Sequence, residues 1–324
     1  MKDRSVQERT RLQEDHSCPL PVQIVVNALL RDFVFKRLIP SLLASTDRTL
    51  EVHLLDHSAT RAETRFSASS TCRVFEHARR TERAGYGENH NFLFEKRGST
   101  SPFIILNPDT IVAKNAIDNL LLRKTLGGSQ VAIVEGRQWP YEHPKEYDSV
   151  THETPWATGA FLLLDGEFFE TARGFDERYF MYHEDVDLSW TAWQRGWKVL
   201  YEPLASCFHF SEGSYHRTDL PSLEEIQGKV NFIKLLEKFF GLSGLEYAQF
   251  VLLDMFEDEE VDFLFKKAGF KLNEQSVVSP ELAFRLSACT DKTLNRKPKF
   301  LEMMRVPQIK VLGYNRFHDL RFEN

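Results

Sequence analysis

Phe103-Ile104-Ile105-Leu106-Asn107-Pro108-Asp109 is a run of four apolar residues that stops on a proline-stiffened acidic turn. So short a continuous apolar run, bounded by turn residues, fits a strand buried on both faces. Pro108 has no N–H to extend a ladder, so it ends the strand and fixes the turn that presents Asp109. Leu50-Glu51-Val52-His53-Leu54-Leu55-Asp56 ends in the same way, on Asp56. In open α/β sheets ligands bind beyond the carboxyl ends of the strands, so two strands that each deliver an acid there mark a site.

Working outward, strand-like and helix-like segments alternate, which predicts an α/β fold with a mostly parallel sheet flanked by helices. Strands are expected at 22–27, 50–55, 71–75, 103–106, 131–134, 160–164 and 198–201. Helices are expected at 31–44, where Phe35, Leu38, Ile39, Leu42 and Leu43 keep helical spacing, at 116–122 and at 184–194. Residues 140–155 read as a polar loop.

After about residue 216 the pattern becomes helical. Ser222 to Glu225 and Ser243 to Glu246 are capping boxes, and Gly241 stops the first of the helices they open. Weaker helices are expected at 258–268 and 281–288. The expected organisation is a polar tail at 1–20, an α/β domain at 21–215 and a mainly helical extension at 216–324. The acidic run from Asp254 to Asp262 reads as a solvated helix face in preference to a metal site. The basic residues of 292–321 read first as surface charge, and second as a contact for an anionic membrane.

Hydrophobic residues are 42% of the 324, enough for a substantial core. A net charge of −6 argues against a nucleic-acid binder, which needs a concentrated basic surface. Residues 1–20 lack the apolar centre of a signal peptide. Cys18, Cys72, Cys207 and Cys289 form no CxxC pair, and read as reduced thiols of a cytoplasmic protein.

The most specific chemistry lies in Gly174-Phe175-Asp176-Glu177-Arg178-Tyr179-Phe180-Met181-Tyr182-His183-Glu184-Asp185-Val186-Asp187-Leu188. Glu184, Asp185 and Asp187 fall in the first turn of a helix, where the macrodipole favours negative charge. That alone accounts for the acids but not for the aromatic residues that precede them. An aromatic wall beside a carboxylate can desolvate it, as a general base requires. For Asp109 the bland alternative is a turn or helix cap, and the chemical one is a carboxylate for Mg²⁺ or Mn²⁺.

Asn107-Pro108-Asp109, the run from Gly174 to Leu188 and Gly196-Trp197-Lys198-Val199-Leu200-Tyr201 together resemble family 2 glycosyltransferases, and most of all their bacterial rhamnosyltransferase-like branch. The resemblance covers roughly residues 22–215. It implies a GT-A fold, a nucleoside-diphosphate sugar donor (dTDP- or UDP-sugar, with rhamnose a candidate), inversion at the anomeric carbon and a glycan or lipid-linked glycan acceptor. It implies that Asp109, with Asn107, sits in the metal and donor site and that Asp185 is the base. Asp56 would recognise the nucleoside, and Gly85, Gly87 and Asn91 would line the donor pocket. Trp156, Gly159 and Glu184 would serve the acceptor, and His209 would join Asp109 at the cation. The sequence departs from the pattern in lacking an acid just after Asp56 and in having Thr191 where an Arg is common. A silent binding module and a sugar nucleotidyltransferase are the competing readings. No glycine or lysine in 22–31 supplies the triphosphate loop that the latter needs.

Overall fold

The computed structural model describes residues 18–57, 64–78, 84–140, 147–210, 221–253 and 256–271. The chain divides into two compact units. The first takes in the described residues of 18–84, 88–175 and 196–210, and the second those of 85–87, 176–195 and 221–271. The helix carrying Asp185 clusters with the C-terminal helices.

The first unit is built on a sheet of nine strands among the described residues, in the order β3-β4-β2-β1-β5-β8-β7-β9-β6. They are β1 (Leu20–Val26), β2 (Leu50–Asp56), β3 (Thr64–Ser69), β4 (Cys72–His77), β5 (Phe103–Leu106), β6 (Thr110–Val112), β7 (Val131–Trp139), β8 (Phe161–Leu164) and β9 (Lys198–His209). β4, β2, β1 and β5 run parallel, as do β7 and β9. β8 lies antiparallel between β5 and β7, and β3 and β6 pair antiparallel at the two ends. All four residues of β5 and of β8 are buried, which is why each reads as an unbroken apolar run with no alternation.

Residues 31–45 form one helical run, α1, with a π turn at Val34–Leu38. Pro40 supplies the reason: it has no N–H and its ring crowds the preceding turn, so the backbone widens just before it. The N–H of Ile39 accordingly donates to the carbonyl of Val34, five residues back. Helix α2 (Tyr86–Arg97) contains Gly87 and Asn91, and Gly85 directly precedes it. Helices α3 (Ala116–Gly127) and α4 (Gly166–Ala172) complete this part of the chain. Val22, Ile24, Leu38, Leu42, Val52, Leu54, Ile104, Leu106, Leu120, Val134 and Leu163 form its core. Each such side chain contributes about 1.5–3 kcal/mol through burial.

The second unit holds α5 (Glu184–Gln194), α6 (Pro221–Leu253) and α7 (Asp258–Ala268). Gly241 breaks α6 with φ 59° and ψ −137°, as its position in the sequence predicts. Trp190 packs edge-on against Phe239 and Phe240, with ring centroids 5.2 and 6.1 Å away. Asp258, Glu259 and Glu260 are exposed in the first turn of α7, the solvated face expected of that acidic run. Both capping boxes include side chains outside the described ones, and 281–288 and 292–321 lie outside the described residues. No described helix is long and apolar enough to cross a membrane.

Candidate functional site

At the carboxyl edge of the parallel strands, the N–H of Asn107 donates to the carbonyl of Ala160 (2.9 Å) and the hydroxyl of Thr110 donates to the carbonyl of Asn107 (2.7 Å). These bonds close the Asn107-Pro108-Asp109 turn. Thr110 stands opposite His209 in the β6–β9 register, and the N–H of Phe210 donates to the carbonyl of Asp109 (3.0 Å). Two residues a hundred positions apart are thereby brought together. His209 Nε2 lies 3.3 Å from Asp109 Oδ1 and 3.3 Å from Asn107 Nδ2.

On its other side His209 Nδ1 lies 2.8 Å from Gln138 Oε1. An amide oxygen only accepts, so Nδ1 carries an N–H, and in the neutral ring Nε2 presents its lone pair toward Asn107 Nδ2 beside the Asp109 carboxylate. An imidazole nitrogen and a carboxylate oxygen converging in this way suit a divalent cation. Among the described residues, no cluster of three or more His, Cys, Asp and Glu side chains forms. Mg²⁺ and Mn²⁺ take few protein ligands and complete their shell with water and phosphate oxygens.

Asp56, at the end of β2, is 2% exposed and accepts from Arg31 Nη1 at 2.7 Å. The second arm of the same guanidinium donates to Glu76 at 2.9 Å. Arg31 thus bridges the carboxylates of Asp56 on β2 and Glu76 on β4. Asn91 makes a two-way clasp on the backbone of Phe175, donating to its carbonyl (2.9 Å) and accepting from its N–H (2.8 Å). A Cβ on Gly174 would lie 2.2 Å from the Asn91 amide oxygen, so this turn needs glycine. Trp156 is buried and Gly159 half-buried in the stretch that leads into β8.

The second unit carries Asp185. Tyr182 and His183, directly before α5, both have φ 72°, a left-handed conformation that costs non-glycine residues about 1–2 kcal/mol each. Asn231 of α6 holds them there by donating to the carbonyls of Met181 and Tyr182, both at 2.8 Å. The N–H of Tyr86 donates to the carbonyl of Phe180 (2.9 Å). A Cβ on Gly85 would fall 2.4 Å from that carbonyl oxygen, so glycine is required for the close approach.

Of the three acids in the first turn, Glu184 and Asp187 are buried and Asp185 is half-buried. Asp187 is a brace: it accepts from Tyr179 (3.0 Å) and from Lys238 (2.7 Å). Burial, then the adjacent Asp185, pushes the Glu184 carboxyl well above the usual carboxylate range. Burial, then Glu184 and Asp185, likewise raises the Tyr86 phenol, which stays a donor. Burial lowers His183 to about 4, so it is neutral. Asp185 Oδ1 accepts from the N–H of Val186 (2.8 Å) in the first turn of α5.

The Glu184 shift sets a stability prediction. As pH rises above the ordinary carboxylate range, the unfolded chain loses this proton while the folded chain keeps it, so stability falls with pH across that interval. Glu184→Gln is expected to be more stable than the parent at pH 8 and equal to it at pH 4, read from denaturant midpoints. A parent chain as stable as the variant at pH 8 would contradict a buried, protonated Glu184.

Known proteins share this architecture. A mannosyltransferase, PcManGT from Pyrobaculum calidifontis, solved with GDP-Man and Mn²⁺, superposes with a TM-score of 0.52 at 14% identity, over 94% of this chain and 89% of its own. GalNAc-T7, solved with UDP, GalNAc and Mn²⁺, gives 0.51 at 14% identity, over 83% of this chain and 57% of its own. The fold is therefore GT-A. In sequence, the chain is 38% identical over 86 residues to the N-acetylglucosaminyl-diphospho-decaprenol L-rhamnosyltransferase of Mycobacterium tuberculosis. That match takes in 26% of this chain and 28% of the relative's length. No family model matches the chain. The chain is thus similar in fold to GT-A glycosyltransferases and, over a quarter of its length, similar in sequence to a rhamnosyltransferase.

Proposed function

We propose that this chain is an inverting glycosyltransferase that moves a sugar, with rhamnose the first candidate, from a dTDP- or UDP-sugar to a hydroxyl of a glycan or lipid-linked glycan. The observation that carries this reading is the convergence of Asp109, Asn107 and His209 at the carboxyl edge of the sheet, with His209 Nε2 and Asp109 Oδ1 3.3 Å apart. Asp109 and His209 would hold Mg²⁺ or Mn²⁺, which when bound neutralises charge on the departing diphosphate. Asn107 offers an amide N–H to a phosphate oxygen beside them. Asp56, with Arg31 and Glu76, faces the nucleoside, and Gly85, Gly87 and Asn91 shape the donor side.

Asp185 is the base. The acceptor oxygen bonds to the anomeric carbon as the bond from that carbon to the diphosphate breaks, and the hydroxyl proton passes to the Asp185 carboxylate. Its place in the first turn of a helix, where the macrodipole favours negative charge, and its partial exposure support this role. Trp156, Gly159 and Glu184 serve the acceptor. The relative's name supports a lipid-linked acceptor, and with it work at a membrane face.

A screen of dTDP- and UDP-sugars with Mn²⁺ or Mg²⁺ tests the reading by release of nucleoside diphosphate. Release that depends on the ion is the expected result. Silence with every donor, with and without glycan acceptors, would favour a binding module.

A further inference from the structure

Three buried or nearly buried polar residues behind His209 form a chain whose hydrogen-bond polarity runs in one direction only. Glu135 (0% exposed) and Gln138 (5%) lie on β7, and Thr158 (6%) lies in the stretch that leads into β8. Thr158 Oγ1 is 2.6 Å from Glu135 Oε1. Gln138 Nε2 is hydrogen-bonded to Thr158 Oγ1, and Gln138 Oε1 to His209 Nδ1. Glu135 and Gln138 are three residues apart, which in a regular strand would put them on opposite faces. The register of β7 against β9 shifts between Gly136 and Arg137, and both side chains reach the same hydroxyl.

Each link dictates the next. A carboxylate at Glu135 only accepts, so the single proton of Thr158 points to it. The Thr158 oxygen is then an acceptor toward Gln138, which must present its NH₂ there. The amide oxygen consequently faces His209, and an oxygen facing Nδ1 requires the N–H on Nδ1. The opposite amide orientation would set the Gln138 oxygen against the Thr158 oxygen with no proton between them. It would also move the ring proton to Nε2, where it would cover the lone pair beside Asp109.

We propose that Glu135, Thr158 and Gln138 are positioning residues that lock His209 in the Nδ1–H tautomer, so that Nε2 is bare for a divalent cation. This builds on the reading of His209 as a ligand. None of the three touches donor or acceptor in the mechanism above; they act through the imidazole, as groups behind metal-binding histidines do.

The test uses the full chain without metal, labelled with ¹⁵N-histidine, the His209 signals being assigned by their loss in His209→Asn. The expected wild-type spectrum has a protonated Nδ1 and a bare Nε2. Thr158→Val keeps shape and removes the hydroxyl, and is expected to give mixed tautomers. It should also weaken Mn²⁺ binding, titrated with the ion alone, by about tenfold or more. Thr158→Ser should restore both. A wild-type His209 protonated on Nε2 overturns the proposal, and so does a Thr158→Val protein with an unchanged tautomer. A locked wild-type tautomer that Thr158→Val disturbs, in a chain that binds no Mn²⁺, would support the relay and refute the ligand role of His209.

Discussion

Asp185→Asn is expected to cut turnover by about 10²–10⁴, the range of a lost general base, and to leave folding and nucleotide binding unchanged. That loss equals roughly 3–5 kcal/mol of transition-state stabilisation at 1.36 kcal/mol per decade. The reasoning is local. The amide has the same shape, its oxygen can still accept from the N–H of Val186, and the carbonyl of Asp185 still accepts from Ser189. What disappears is the capacity to take a proton. Its neighbours cannot substitute: Glu184 is buried with its carboxyl pushed upward, and Asp187 is committed to Tyr179 and Lys238. Steady-state kinetics with circular dichroism and nucleotide titration would show a fall in kcat with little change in KM. Turnover close to the parent's would remove Asp185 from the mechanism.

Asp109→Ala is expected to act on binding, and only when the ion is present. The carboxylate beside His209 Nε2 is lost, while the backbone bond from Phe210 to the carbonyl of residue 109 does not depend on the side chain. UDP affinity measured by calorimetry in Mn²⁺ should fall by at least about 10–100-fold, a loss already typical of residues one contact further from a metal. Affinity measured in a chelator should match the parent's. Equal losses in both conditions would mean that Asp109 shapes the turn and does not serve the cation.

Those two acids could be read from sequence because each ends or begins an element with a clear signature. The run at 103–106 is apolar because it is covered on both faces, and it stops at an acidic turn, while the run at 50–55 carries Glu51 and His53 and ends in the buried Asp56. Helix α5 announced itself through its acidic first turn. Helix α2 did not, because Phe92, Leu93 and Phe94 follow one another in a polar segment and draw no single stripe. β3 and β6 are short antiparallel strands at the ends of the sheet, where pairing and not apolar pattern defines the element. β9 runs on to His209, well beyond the apolar stretch at 198–201, because β7 and then β6 supply partners for its polar second half.

Partnerships were the part hidden from view. Arg31 meets Asp56 and Glu76 only because β1, β2 and β4 are adjacent, and nothing in the local sequence of Arg31 distinguishes it from a surface charge. Gln138 and Thr158 are ordinary residues until the strand register sets them behind His209. Asn91 fits the donor-site pattern, and in the fold its amide is occupied in bracing Phe175.

The hold of Asn231 on the carbonyls of Met181 and Tyr182 changes what the C-terminal helices are for. The turn directly before the proposed base holds two left-handed residues, and the amide that bonds to its carbonyls belongs to α6. A chain ending at 215 would lack that amide, and the two left-handed residues before the proposed base would have nothing from α6 to hold their turn.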